Sequence, residues 1–126
     1  MTKQFGPFIY EVEHESWVKI VGHTYNIPDE LIVPEEIDRL PVFSIERSAF
    51  KGVTNITHLV LPNSLKYIEG HAFAECIQLQ SVQLNDGLRF IGDCAFHGCL
   101  SLDDIRLPDT LRYVSKNAFI GGDHVC

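Results

Sequence analysis

The dipeptide Ala-Phe occurs four times at a fixed interval of 23 residues, as Ala49-Phe50, Ala72-Phe73, Ala95-Phe96 and Ala118-Phe119. Other apolar columns keep the same phase. One holds Ile45, Ile68, Ile91 and Val114, another Val42, Leu65, Leu88 and Leu111, a third Leu59, Val82 and Ile105. A unit of this length is too short to bury its own apolar face, so units at this period stack on their neighbours and share one continuous core. The chain is therefore predicted to be a single-domain solenoid over residues 1–126.

Residues 1–28 break the period. Phe8-Ile9-Tyr10-Glu11-Val12-Glu13 and Trp17-Val18-Lys19-Ile20-Val21 are β-forming runs joined by polar residues, which predicts a β-hairpin. It serves as the atypical unit that caps a solenoid, over residues 1–31, with Tyr10 and Trp17 in the cap core. Residues 32–126 then make four stacked turns. The first is irregular, because Glu35-Glu36-Ile37-Asp38-Arg39-Leu40-Pro41 adds about five residues; it is expected to form a bulging loop.

Each later turn opens on a segment such as Ile56-Thr57-His58-Leu59-Val60-Leu61-Pro62. Apolar and polar residues alternate at its end, as in a short strand with one wet face. Strands one period apart pair in parallel, and a following proline ends them. A second short segment (Leu65-Lys66-Tyr67-Ile68 and its repeats) lies on the opposite side of the coil. The Ala-Phe pair then forms a half-turn of 3₁₀ or α character, with the Phe plugged inward as a buried ladder.

The unit Leu-x-x-Ile-x-Leu-Pro-x-x-Leu-x-x-Ile-Gly-x-x-Ala-Phe-x-x-Cys-x-x-Leu resembles the BspA-like, or Treponema-type, leucine-rich repeats (the LRR_5 class). Residues 79–102 match through Ile91-Gly92, Ala95-Phe96, Cys99 and Leu102; residues 56–79 match with Glu69 in place of the glycine. The resemblance spans about 32–122. It implies a leucine-rich repeat solenoid, a curved right-handed coil with a parallel sheet on its concave face. It also implies a non-enzymatic interaction protein, since members are mostly surface or secreted binding proteins and offer no catalytic residues to transfer. The departures are Asn85 for Pro, Gly122 for Cys and an end at Cys126 with no recognisable cap, which would leave an open strand edge.

Net charge is −7, from 17 acidic and 10 basic residues. This disfavours nucleic acid, which needs a basic footprint, and anionic membrane surfaces. No window approaches the roughly 18 apolar residues of a membrane span. The N-terminus carries no apolar leader core. The expected location is cytoplasmic if the chain is complete as given, and cell surface or secreted if it is a fragment lacking its leader. Of the four cysteines, Cys76 and Cys99 share a column with Val53 and read as core thiols. Cys94 shares one with Ser48, His71 and Asn117 and reads as exposed; Cys126 reads as free.

Two surfaces emerge. The outward residues of the first strands form a mixed polar patch, from which His58, Val60, Gln83, Asp104 and Arg106 are the candidate partner-binding residues. The bland alternative is a solvated face. On the other side Lys66, Arg89 and Arg112 run beside Tyr67, Phe90 and Tyr113. Aromatics and Arg are enriched in contacts between proteins, so this stripe is the candidate for homodimer formation or adhesion. Its bland reading is cross-strand packing shielded by the cationic stems. A metal-dependent hydrolase would need His71, Cys94 and His97 to converge; no zinc-type spacing supports that, and no cofactor or catalytic residue is expected.

Overall fold

The computed structural model describes residues 1–103 and 105–119. The expectations for Asp104, Gly122 and Cys126 fall outside them. Among the described residues the strands are β1 (Lys3–Phe5), β2 (Phe8–Glu13), β3 (Trp17–His23), β4 (Glu30–Ile32), β5 (Glu36–Ile37), β6 (Leu40–Ile45), β7 (His58–Val60), β8 (Tyr67–Ile68), β9 (Ser81–Gln83), β10 (Phe90–Ile91) and β11 (Tyr113–Val114). They build the curved solenoid of the repeat, with short parallel strands and an antiparallel cap.

Two sheets run along the coil. The long one follows the order β1-β2-β3-β6-β8-β10-β11, with β5 on β6; the short one is β4-β7-β9. The cap pairs antiparallel within itself, and β3 then joins β6 in parallel, so the repeat ladder grows directly from the cap. The cap has one strand more than the predicted hairpin. Residues 35–41 are not a bulging loop: β5 and β6 close an antiparallel hairpin across Asp38 and Arg39. Both residues take left-handed backbone, φ 60 and 66, as a type I′ turn demands.

A third ladder runs through the Ala-Phe corners. Phe50, Phe73 and Phe96 N–H groups donate to the carbonyls of Ala72, Ala95 and Ala118 one turn on, at 2.7–2.8 Å. Within each corner the Ala N–H donates three residues back, as in Ala72 N to Glu69 O at 3.3 Å, which is the predicted 3₁₀ character. The rings form the expected ladder. Centroids are 5.2 Å apart for Phe50–Phe73, 5.5 Å for Phe73–Phe96 and 5.3 Å for Phe96–Phe119, all within 8° of parallel. His23 stacks on the free face of Phe50 at 5.8 Å and Phe8 meets its edge at 6.2 Å, so the cap seals the ladder's first end.

Cys76 and Cys99 are buried free thiols, as the column with Val53 implies. Their Sγ–H groups donate to Phe50 O and Phe73 O, 3.3 and 3.2 Å away. The neighbouring Cys99 sulfur and burial push the Cys76 thiol up. Cys94 is buried, contrary to its polar column. Ser48, His71 and Cys94 all adopt φ near 60. Ser48 is exposed and His71 and Asn117 half-buried, so the column's exposure changes from turn to turn while its left-handed backbone is shared by the first three members.

Candidate functional site

The short sheet is the first surface. Register places Glu30, His58 and Ser81 in one row, Leu31, Leu59 and Val82 in the next, and Ile32, Val60 and Gln83 in the third. The middle row is buried, and the flanking rows face outward. His58 and Gln83 are exposed, Val60 half-exposed. The His58 ring lies 2.9 Å from the Thr57 hydroxyl through Nδ1. Gln83 and Arg106, from adjacent turns, line one open groove of about 390 Å³ with Ser81, Val82, Leu84, Asp86 and Pro108. His58 and Val60 sit one strand away and do not line it.

Sequence reasoning missed Ile32, whose side chain is 58 % exposed beside Val60. The two make a small apolar strip on an otherwise polar face. Their separation is 28 residues, the period plus the five-residue insertion, so the column was hidden by the hairpin β5–β6.

The second surface is the outer face of the long sheet. Tyr67, Phe90 and Tyr113 are in register, with centroids 6.1 and 5.0 Å apart. The stripe is longer than the repeat predicts. Phe43 packs at 5.5 Å against Tyr67 and Trp17 at 5.1 Å against Phe43, both tilted, and His14 meets Trp17 edge-on at 5.5 Å. Trp17 thus belongs to the outer stripe and not to the cap core, while Tyr10 is buried as expected. The periodic position above Tyr67 is Ser44. A register shift between β3 and β6 skips Phe43, and this bulge lets its ring supply the missing aromatic. Lys66, Arg89 and Arg112 line a second groove, of about 370 Å³, with Gly87, Asp109, Thr110 and Leu111.

Charge beside the stripe is locally organised. Lys19 bridges Glu13 at 3.0 Å and Glu11 at 3.6 Å; its hydrogen bond to Glu13 raises the Lys19 pKa and lowers that of Glu13. Burial, and then the Glu46 carboxylate one turn away, push the Glu69 carboxyl above the usual carboxylate range against the pull of Arg47.

The residues that a metal site would require stay apart in their chemistry. The Arg47 guanidinium donates to His71 Nδ1 at 3.2 Å, Cys94 is buried, and His97 Nδ1 is buried without a hydrogen bond. Among the described residues no group of three His, Cys, Asp or Glu is placed to hold a metal ion, and no helix is long and apolar enough to cross a membrane.

A family model described as "BspA type Leucine rich repeat region (6 copies)" matches residues 43–125. The chain belongs to the BspA-type leucine-rich repeat family. A leucine-rich repeat protein from Bacteroides capillosus has a similar structure, with a TM-score of 0.88 at 27 % identity over 95 % of this chain and 91 % of that one. The leucine-rich repeat protein of T. pallidum follows at a TM-score of 0.70 and 26 % identity over 90 % of this chain. A leucine-rich cell surface protein of Faecalibacterium prausnitzii shares the fold at 0.78 and 22 % identity over 88 % of this chain. This BspA-type chain spans 64 % of the T. pallidum protein and 31 % of the F. prausnitzii protein. No curated protein matches it. Short parallel strands held on a stiff repeat core are the architecture of a protein–protein interaction scaffold.

Proposed function

We propose that the chain binds a protein partner on the β4–β7–β9 face, through Ile32, His58, Val60, Gln83 and Arg106. One observation carries this reading: side chains from three successive turns stand in fixed rows around an apolar strip, and Gln83 at the end of those rows shares a groove with Arg106 of the next turn. Little ordering entropy is spent when such a surface makes contact, because the strands are already held by the core. Asp104, the remaining candidate, adjoins this face in sequence.

A second reading is self-association through the outer stripe. The observation that favours it is its unbroken run from Trp17 to Tyr113, which ends on a ring 49 % exposed.

Site-specific photocrosslinkers separate the two. A benzoylphenylalanine at position 83, in cells of the source organism, is expected to capture a foreign protein that one at position 113 does not. Capture confined to position 113, yielding a doubled chain, would replace the first reading with the second.

A further inference from the structure

The aromatic stripe on the long sheet is flanked by charge on both sides, and the two sides differ in sign. On one flank stand Lys66, Arg89 and Arg112, each one residue before a ring. Arg89 N and Phe90 N both donate to Lys66 O, at 2.9 and 3.2 Å, and Arg112 N and Tyr113 N both donate to Arg89 O, at 2.9 and 3.1 Å. Two donors on one acceptor make a bulge, which re-aims a side chain. Cation and ring therefore stand out together between buried neighbours such as Leu65 and Ile68. Among the described residues none of the three cations makes an ion pair, although their strands step only about 4.8 Å apart.

The opposite flank is acidic. Glu46 and Glu69 share one column, and Asp93 follows Gly92, the column's next member. Among the described residues these carboxylates make no ion pair either; Glu46 accepts from Ser44 Oγ at 2.7 Å, and Asp93 accepts from Ser115 Oγ. Within one chain each flank repels itself.

A hollow of about 180 Å³ opens on the acidic flank, bordered by Glu69, Asp93 and the rings of Phe90 and Tyr113. Gly70 and Gly92 border it without adding a side chain, and Arg47, the one cation in the lining, donates to His71 Nδ1 at 3.2 Å. Two carboxylates beside two aromatic rings suit a guanidinium, which pairs with the first and packs against the second.

Symmetry says which guanidinium can reach it. Two copies that lay this face stripe on stripe are related by a two-fold axis in the plane between them. An axis across the ladder sets each flank on its own kind, cation column on cation column. An axis along the ladder exchanges the flanks and keeps each turn opposite its equivalent. Lys66 of one copy then stands over Glu69 of the other, and Arg89 over the turn that holds Phe90 and Asp93. The two columns match in pitch because one ladder sets both.

We propose that a second copy of this chain covers the outer face, with the two-fold axis along the ladder and Arg89 of each copy seated in the other's hollow between Glu69 and Asp93. The inference rests on the self-association reading and adds the arrangement of the pair and the residues that set it. Like charges that repel within one chain become opposite charges between two. The β4–β7–β9 face stays open to a foreign protein.

The test is sedimentation equilibrium across a hundredfold concentration range, on the intact chain and on Arg89→Glu, Glu69→Lys and Tyr113→Ser. The native chain is expected to dimerise, and more weakly as salt rises. Each charge reversal alone is expected to weaken the dimer at least tenfold. An equimolar mixture of Arg89→Glu and Glu69→Lys is expected to recover the native affinity, because in the mixed dimer every reversed charge meets its opposite; recovery also shows that both variants are folded. Failure of the mixture to recover would overturn the proposal. A dimer tightened by Arg89→Glu would place the axis across the ladder and overturn it too, leaving self-association through the stripe in place. So would a dimer that Tyr113→Ser disrupts and neither reversal touches. A dimer indifferent to all three substitutions, or a chain monomeric throughout, would remove the self-association reading as well.

Discussion

The Asn85 side-chain amide donates to the main-chain carbonyl of Leu65 at 2.9 Å, across adjacent turns. In the other turns this bond comes from a different residue. Ser64 Oγ donates to Val42 O at 2.8 Å, and Thr110 Oγ1 to Leu88 O at 2.8 Å; the acceptors are the periodic equivalents of Leu65. The third turn has Gly87 where those hydroxyls stand, at φ 98, a conformation that a serine there would hold under strain. Asn85 replaces the repeat's proline and supplies the missing donor. Substituting the family residue, Asn85→Pro, is therefore expected to destabilise by about 1–3 kcal/mol, the cost of a buried carbonyl left without its partner. Urea denaturation checks it; unchanged stability would show that the bond carries nothing.

The ring ladder predicts a gradient. Phe73 is stacked on both faces and fully buried, so Phe73→Ala should cost about 3–5 kcal/mol. His23→Ala removes only the ring that covers Phe50 and should cost about 0.5–1.5 kcal/mol. Equal losses in thermal unfolding would mean that the cap's contact is worth as much as an interior layer.

The parts of this fold that obey the 23-residue period were legible in the sequence: the Phe ladder, both parallel sheets and the core thiols follow from columns alone. The misses all lie where the period is broken or where geometry and exposure diverge. Ile32 escaped because the hairpin β5–β6 shifts its column by five residues. Phe43 escaped because a bulge, which no spacing announces, moves its ring into the place of Ser44. Cys94 was misjudged because its column is exposed or half-buried at Ser48, His71 and Asn117 and buried only in its own turn.

Glu75 takes φ 62 at the position that Gly52 and Gly98 fill at φ 76 and 75. A side chain in this region costs roughly 1–2 kcal/mol relative to glycine's freedom. The Lys51–Glu75 contact, 3.8 Å and exposed, returns little of that. Glu75→Gly should therefore raise stability, by up to about 1 kcal/mol after glycine's greater unfolded-state entropy is counted. A lower melting temperature in the variant would show that the ion pair outweighs the backbone strain.

The Cys76 and Cys99 thiols should be silent toward a soluble disulfide reagent while the protein is folded. Both are buried and both donate to a carbonyl, which holds the proton that attack requires removing. Their modification is expected to track global unfolding in denaturant. Fast reaction of either thiol in buffer would reveal that the turns separate locally.

Glu69 sets a pH dependence whose sign follows from its raised pKa. The folded state binds this proton more tightly than the unfolded chain does, so folding takes up a proton between the unfolded pKa of about 4.3 and the higher folded value. Through that window stability falls as pH rises, and above it the charged carboxylate, facing Glu46 one strand away, is a constant penalty. Glu69→Gln removes both. The variant should be more stable at pH 7, by up to about 1 kcal/mol, the size of a like-charge cross-strand pair. The advantage should shrink as pH drops through the same window and vanish below about pH 4.3. Melting curves of the two proteins across pH 4 to 8 decide it, and a gain independent of pH would assign the effect to packing instead of charge.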